Sequence, residues 1–151
     1  MKREHGLTED VIKAREDEER EQVDFYLFKV KEFEQIRKDP TSTFQQGLEA
    51  SKEILLLNPE YYTAWNYRKQ KLMENLSKVG TIEFAKAEFA FSVEGIKINP
   101  KSYPSWHHRK WLIENIFAPK GSELYTKFDY SYELKLCSKL LDLDSRNCNF
   151  S

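Results

Sequence analysis

Residues 58–69 read NPEYYTAWNYRK, and residues 99–110 read NPKSYPSWHHRK, 41 positions later. The two copies share an asparagine–proline pair, a tyrosine, a tryptophan and an arginine–lysine pair at identical spacing. A repeat period of this size is typical of stacked helical hairpins, because one hairpin cannot bury its own apolar face and packs against the next. The sequence therefore predicts a repeat protein built from helical pairs.

A third copy of the motif begins and is incomplete. At a 45-residue step, residues 144–148 align with residues 99–103, and Ser151 stands where the next tryptophan would fall. The last helix, predicted within residues 123–143, would then lack the helix that covers its apolar face. We therefore expect the chain to be a fragment or a shortened form of a longer repeat protein.

Helical periodicity surrounds both complete copies. Residues 9–38 are predicted to form one long helix that ends at Asp39 and Pro40. Apolar side chains recur along it at steps of three and four, namely Val23, Tyr26, Leu27, Val30 and Phe33. Helices over about residues 48–57 and 84–98 each lead into an asparagine–proline pair.

No period-two alternation competes with the helical pattern, and only five glycines occur. The prediction is therefore an all-α fold, an α-α superhelix or solenoid of antiparallel helical hairpins. Residues 1–40 form a charged, amphipathic N-terminal helix, and residues 41–151 form the helical repeats with the third repeat incomplete. Both parts are expected to belong to one domain.

Composition excludes several classes of function. Twenty-four Lys and Arg balance twenty-five Asp and Glu, so no overall positive field favours nucleic acid. No stretch approaches the roughly 20 apolar residues of a membrane span. The two cysteines, Cys137 and Cys148, lack zinc-site spacing, and the adjacent His107 and His108 point about 100 degrees apart on a helix. We expect a cytoplasmic protein with no metal site and no cofactor of its own.

The pattern Asn-Pro-x-x-Tyr-x-x-Trp-x-x-Arg resembles the repeat of the protein prenyltransferase α subunits. The resemblance covers residues 42–151, counting the start of the third copy. The second copy, together with a charged N-terminus that contains His5 and Gly6, is most similar to the type II branch, Rab geranylgeranyltransferase. The α subunit shared by farnesyltransferase and the type I enzyme is the alternative within the family.

The resemblance implies a right-handed crescent that wraps around a β subunit, which holds the catalytic zinc. It also implies a Rab GTPase substrate, which an escort protein accompanies. A C-terminal cysteine of the GTPase attacks an isoprenyl diphosphate. The family's diphosphate-binding lysine and tyrosine correspond to Lys101 and Tyr103. The remaining motif positions are expected to pack the repeats together, and they are Tyr62, Trp65, Arg68, Trp106, His107 and Arg109.

Two other readings stay open. Lys101 is equally compatible with an ordinary exposed residue in a turn between helices. The whole chain is also compatible with a helical-repeat scaffold that binds proteins and has no enzymatic role. Since the chain offers no activated thiol and no metal-binding cluster, we expect it to be inactive in isolation even if the complex is an enzyme.

Overall fold

The structure, a computed structural model, describes residues 8–75 and 81–117, together with five residues between 131 and 139. Five α-helices occupy the two long stretches: α1 (Glu9–Lys38), α2 (Phe44–Leu57), α3 (Tyr62–Glu74), α4 (Thr81–Ile98) and α5 (Tyr103–Leu112). A turn of π-helix, Ile113–Phe117, continues α5. No strand occurs in this part of the chain, and the all-α prediction is confirmed. Most of the predicted last helix and the third motif copy lie outside the described residues.

Side-chain caps set where the first two helices begin. The hydroxyl of Thr8 accepts a hydrogen bond from the backbone N–H of Val11 at 3.3 Å, and α1 starts there. At α2, Thr43 and Gln46 form a reciprocal capping box with distances of 2.8 and 3.1 Å. This box starts α2 four residues before the predicted Leu48, because the capping pair precedes the apolar pattern.

The helices pack as successive hairpins. Four-residue turns join α2 to α3 and α4 to α5, and such short connections place the helices side by side and antiparallel. The second hairpin then stacks on the first through contacts of α2 with α4 and of α3 with α5. One apolar cluster joins α1 to the first hairpin and reaches α4; it contains Phe33, Ala50, Ile54, Leu55, Ala64, Trp65, Tyr67 and Phe91.

A glycine in each first helix allows the close approach of a neighbouring side chain. A Cβ added at Gly47 would overlap the hydroxyl of Tyr67, and one added at Gly95 would lie 2.6 Å from the Ser105 hydroxyl. The absent side chains therefore let the two helices of each hairpin meet tightly at these positions.

Two positions on α1 differ from the sequence prediction. Phe33 is fully buried, and Tyr26 and Val30 are partly buried against the core. Val23 and Leu27, which were predicted to share that buried stripe, are both 55% exposed. For Val23 the reason is length: α1 has 30 residues and α2 has 14, so at about 1.5 Å per residue α2 covers only part of α1. Leu27 lies in the covered part, but it directly follows Tyr26 and so lies about 100 degrees around the helix from that side chain.

No helix among residues 8–75 and 81–117 is both long enough and apolar enough to cross a membrane.

Candidate functional site

The asparagine of each motif copy shapes the turn that precedes the second helix. Asn58 Oδ1 accepts a hydrogen bond from the backbone N–H of Glu60 at 3.1 Å, and Asn99 Oδ1 accepts one from Lys101 at the same distance. The asparagine amides reach back along the array. Asn58 Nδ2 donates to the Tyr26 hydroxyl on α1 at 2.9 Å, and Asn99 Nδ2 donates to Glu60 Oε1 in the preceding turn at 3.3 Å.

The motif tryptophan closes the same turn. Trp65 Nε1 donates to the carbonyl of Pro59 at 2.9 Å, and Trp106 Nε1 donates to the carbonyl of Pro100 at 2.9 Å. This agrees with the expectation that a buried indole N–H needs a partner. The motif thus supplies the turn, the proline carbonyl and the ring that hydrogen-bonds to it.

The two tryptophans differ in burial. Trp65 is fully buried, with ring centroids 4.4 Å from His108 and 5.6 Å from Phe91, both in the next hairpin. Trp106, for which the sequence predicted the same packing role as for Trp65, is only partly buried in the described structure. Both ring partners of Trp65 belong to the following hairpin, and the chain that follows the hairpin of Trp106 lies largely outside the described residues.

The motif arginine ties its helix to the first helix of the same hairpin. Arg68 is 5% exposed, and its Nη1 donates to the Leu48 carbonyl and to the Ser51 hydroxyl, each at 2.8 Å. In the second hairpin, Arg109 Nη1 likewise donates to the Phe89 carbonyl at 3.0 Å and to the Ser92 hydroxyl at 2.9 Å. Both arginines thus join the two helices of their own hairpin.

Arg68 also binds a carboxylate in the next hairpin. Its Nε and Nη2 donate to the two oxygens of Glu88 on α4 at 2.8 and 2.7 Å, in a bidentate ion pair with both side chains buried. Burial raises the pKa of Glu88, but His108 and Arg68 outweigh it, and the pKa falls from an ordinary 4.5 to about 2. Glu88 is therefore ionised at neutral pH.

His108 completes this buried cluster. Its Nε2 lies 2.9 Å from Glu88 Oε1, and the ionised carboxylate requires a donor, so Nε2 carries the proton. Burial lowers the pKa of His108 despite the opposing effect of Glu88, which keeps the ring neutral at pH 7. Its Nδ1 is buried and has no hydrogen-bond partner among the described residues.

Sequence reasoning missed Glu88 and His108. The signal for His108 was present in the aligned copies, which place a ring at this position both times, Tyr67 in the first and His108 in the second. Each ring packs on an aromatic side chain from earlier in the chain: Tyr67 of α3 lies edge-on to Phe33 of α1 with ring centroids 5.3 Å apart, and His108 of α5 lies tilted by 32° against Trp65 of α3.

Tyr62 and His107 occupy the outer side of the second helices. Tyr62 is 42% exposed and His107 is exposed, which differs from the prediction that they pack between repeats. His107 instead stacks on Tyr103, with ring centroids 5.8 Å apart and planes at 14°. Burial and the charges of Lys69 and Lys110 lower the pKa of His107.

The lysine and tyrosine of the second copy point away from the core. Lys101 is exposed and lies in the turn before α5. Tyr103, the first residue of α5, is 67% exposed. Two residues apart in the chain, at the turn and the first position of α5, they place an exposed ammonium group and an exposed phenol near the start of this helix. This arrangement is chemically suited to an anion such as a diphosphate.

A second lysine lies near the ring that stacks on Tyr103. Lys69 is half-buried on α3, with Nζ 5.9 Å from the centre of the Trp111 ring, and burial lowers its pKa. The positive charge of Lys69 contributes to the lowered pKa of His107 on the neighbouring helix. Lys69 of α3 therefore lies close to aromatic rings of α5.

The described residues contain no group of three or more His, Cys, Asp or Glu side chains that could hold a metal ion.

Stacked hairpins with a duplicated turn, tryptophan and arginine define an α-helical repeat protein. The sequence profile of the family described as "Protein prenyltransferase alpha subunit repeat" matches residues 44–70 and 85–116, the two complete hairpins. These two hairpins are therefore similar to the repeat of that family.

Two curated relatives point the same way. A Dictyostelium discoideum protein named "Geranylgeranyl transferase type-2 subunit alpha" is 33% identical over 152 residues, which cover 95% of this chain and 46% of the relative. A Candida albicans protein of the same name is 29% identical over 155 residues, covering 95% of this chain and 40% of the relative. The chain thus spans less than half the length of these relatives.

Proposed function

We propose that this chain acts as the α subunit, or as part of the α subunit, of a heterodimeric type 2 protein geranylgeranyltransferase. The enzyme would transfer geranylgeranyl from its diphosphate to C-terminal cysteines of Rab GTPases presented by an escort protein. The observation that carries the proposal is the similarity, over 95% of the chain, to two proteins named as type 2 α subunits. The duplicated hairpin motif supports it.

Lys101 and Tyr103 are the groups that we assign to the diphosphate. In the reaction, a cysteine sulfur bonds to the first isoprenoid carbon while the carbon–oxygen bond to the diphosphate breaks. Negative charge therefore grows on the leaving oxygen. An ammonium group and a phenol O–H aimed at that oxygen would stabilise the transition state more than the ground state, and both side chains are exposed.

The first motif copy offers a contrast. At the position of Lys101 it carries Glu60, which accepts a hydrogen bond from Asn99 and helps join the two turns. A carboxylate there would repel a diphosphate. The second copy alone among the two complete hairpins therefore has the charge that the proposed role requires.

In this proposal the catalytic zinc belongs to the β subunit. In it, this chain contributes positive charge, shape and a partner surface. We accordingly expect the purified chain alone to show no prenyl transfer.

Co-expression tests the choice of partner. The chain should co-purify with a type 2 β subunit and restore transfer of geranylgeranyl to a Rab protein in the presence of its escort protein. A farnesyltransferase β subunit serves as the competing partner. Preferential assembly with that subunit would favour the farnesyl and type I alternative, and assembly with neither, by a folded chain, would favour the scaffold interpretation.

The diphosphate assignment has its own test. In an assembled complex, Lys101→Ala should slow single-turnover transfer by roughly 10- to 100-fold, the equivalent of about 1 to 3 kcal/mol of charged hydrogen bonding. Lys86→Ala, which removes an exposed lysine of α4, is the matched control and should have no effect. An unchanged rate in Lys101→Ala would remove this residue from the site without affecting the subunit assignment.

A further inference from the structure

The N-terminal half of α1 carries an exposed stripe that continues the buried one. In the C-terminal half, Tyr26, Val30 and Phe33 pack against the core. Toward the N-terminus the same side of the helix continues with Val23, Glu19, Glu16 and Ile12 at steps of three and four. Val23 is 55% and Ile12 is 43% exposed, because α2 does not extend that far.

A groove lies where α2 ends against this stripe. It has a volume of about 740 Å³ and is lined mainly by Val23, Phe25, Tyr26 and Leu57, with Glu19 at one end. Phe25 is 51% and Leu57 is 47% exposed. Scattered exposed apolar side chains are ordinary, but several that line one groove mark a binding surface.

The segment beside the groove is strongly acidic. Residues 16–24 contain six carboxylates and one basic residue, Arg20, which is already paired with Asp17 at 3.2 Å. If a second copy of the chain bound here, its acidic segment would approach the same acidic segment of the first copy, and the two would repel each other. An anionic lipid surface would be repelled for the same reason. A basic partner, by contrast, gains charge complementarity at the groove's acidic end.

The way that α2 binds the other half of α1 indicates the shape of the occupant. α2 lies along the stripe as a helix, and Lys29 of α1 bonds to Glu53 of α2 at 2.9 Å beside it. In the exposed half of the stripe, α1 carries the opposite charge: acidic side chains take the place that Lys29 has beside the covered half. A helix with an apolar face and basic residues would fit it in the same manner.

We propose that the groove between α1 and the end of α2 is a docking site for a helical segment of a partner protein. That segment is apolar on one face and carries Lys or Arg where it meets Glu19. The surface is distinct from the Lys101 and Tyr103 region, and the inference does not depend on the proposed enzymatic role.

Fluorescence anisotropy with the full chain tests the proposal. The probe is a labelled amphipathic peptide of Leu and Lys, about four helical turns long, and the control peptide has every Lys replaced by Glu. We expect binding of the basic peptide only, weakened at least about tenfold by the double change Val23→Ser and Phe25→Ser. Glu16→Lys with Glu19→Lys should weaken it at least about fivefold at low salt and less at high salt.

Matched controls separate the groove from general stickiness. Met73→Ser removes an exposed apolar side chain on α3, and Glu83→Lys reverses an exposed charge on α4; both should bind the basic peptide as the parent chain does. All substituted side chains are exposed, so circular dichroism should show unchanged helix content.

Three results would overturn the proposal. Equal binding of the acidic peptide would show that charge plays no part. Equal binding by the groove variants would place the peptide elsewhere. A dimer in sedimentation that dissociates on Val23→Ser and Phe25→Ser would make a second copy the occupant.

Discussion

Replacing Glu88 by Gln should destabilise the fold through one buried charge. The variant keeps the shape of the side chain and an oxygen that accepts from His108, but it removes the negative charge that Arg68 binds with two hydrogen bonds. Arg68 is 5% exposed and cannot turn to water without leaving Leu48 and Ser51. The positive charge would then stay buried with incomplete compensation.

The size of the effect follows from the pKa of Glu88. A decrease from 4.5 to about 2 corresponds to about 3 kcal/mol at about 1.4 kcal/mol per unit. Loss of one partner of a buried ion pair costs a similar roughly 3 to 5 kcal/mol. Because the pKa is lower in the folded state, this stabilisation is complete above about pH 4.5 and is lost as the pH falls toward about 2.

Urea unfolding, followed by circular dichroism, measures the loss in the free energy of unfolding. Glu88→Gln should lose about 3 kcal/mol at pH 7, and the difference from the parent chain should shrink to about 2 kcal/mol near pH 3.5. Glu94→Gln, which removes an exposed carboxylate of the same helix, should change stability by less than about 0.5 kcal/mol. A loss under about 1 kcal/mol for Glu88→Gln, or one that does not change with pH, would contradict the buried ion pair.

Three further predictions concern packing and protonation. Trp65→Ala should cost about 3 to 5 kcal/mol and Trp106→Ala clearly less, and equal losses in urea unfolding would show that both rings are covered alike. Gly47→Ala should destabilise by roughly 1 to 3 kcal/mol because its methyl group overlaps the Tyr67 hydroxyl; a neutral result would mean that Tyr67 moves freely. His108 has a folded-state pKa below its ordinary 6.5, so stability should fall as the pH decreases below about 6.5, by up to about 1.4 kcal/mol per unit. His108→Gln should flatten that slope between about pH 6.5 and 5, and an unchanged slope would assign the effect to another group.

The sequence predicted the elements that depend on the repeated motif. The extent of α1 is confirmed as Glu9–Lys38, and both asparagine–proline pairs end the first helices as expected. These features could be predicted because local chemistry determines them: a proline breaks a helix, and a period of 41 residues shows which positions are equivalent.

The buried ion pair could not be predicted in this way. Glu88 is aligned with Gly47 in the first copy. Because the two copies differ at this position, comparing them gives no sign that Glu88 has a structural role. Its partner, Arg68, is close only after the second hairpin stacks on the first. Exposure of Val23 had a different cause, since periodicity shows which side of a helix is apolar and not how far the neighbouring helix reaches.

Arg68 holds two hairpins with one side chain, donating to α2 in its own hairpin and to Glu88 in the next. Neither hairpin can open without leaving a charge unpaired in the other. In a linear array, stability is the sum of terms within units and terms between neighbours, and this guanidinium contributes to both. Melting should consequently be a single cooperative event across the pair, with amide hydrogens of α2 and α5 equally protected although they lie in different repeats.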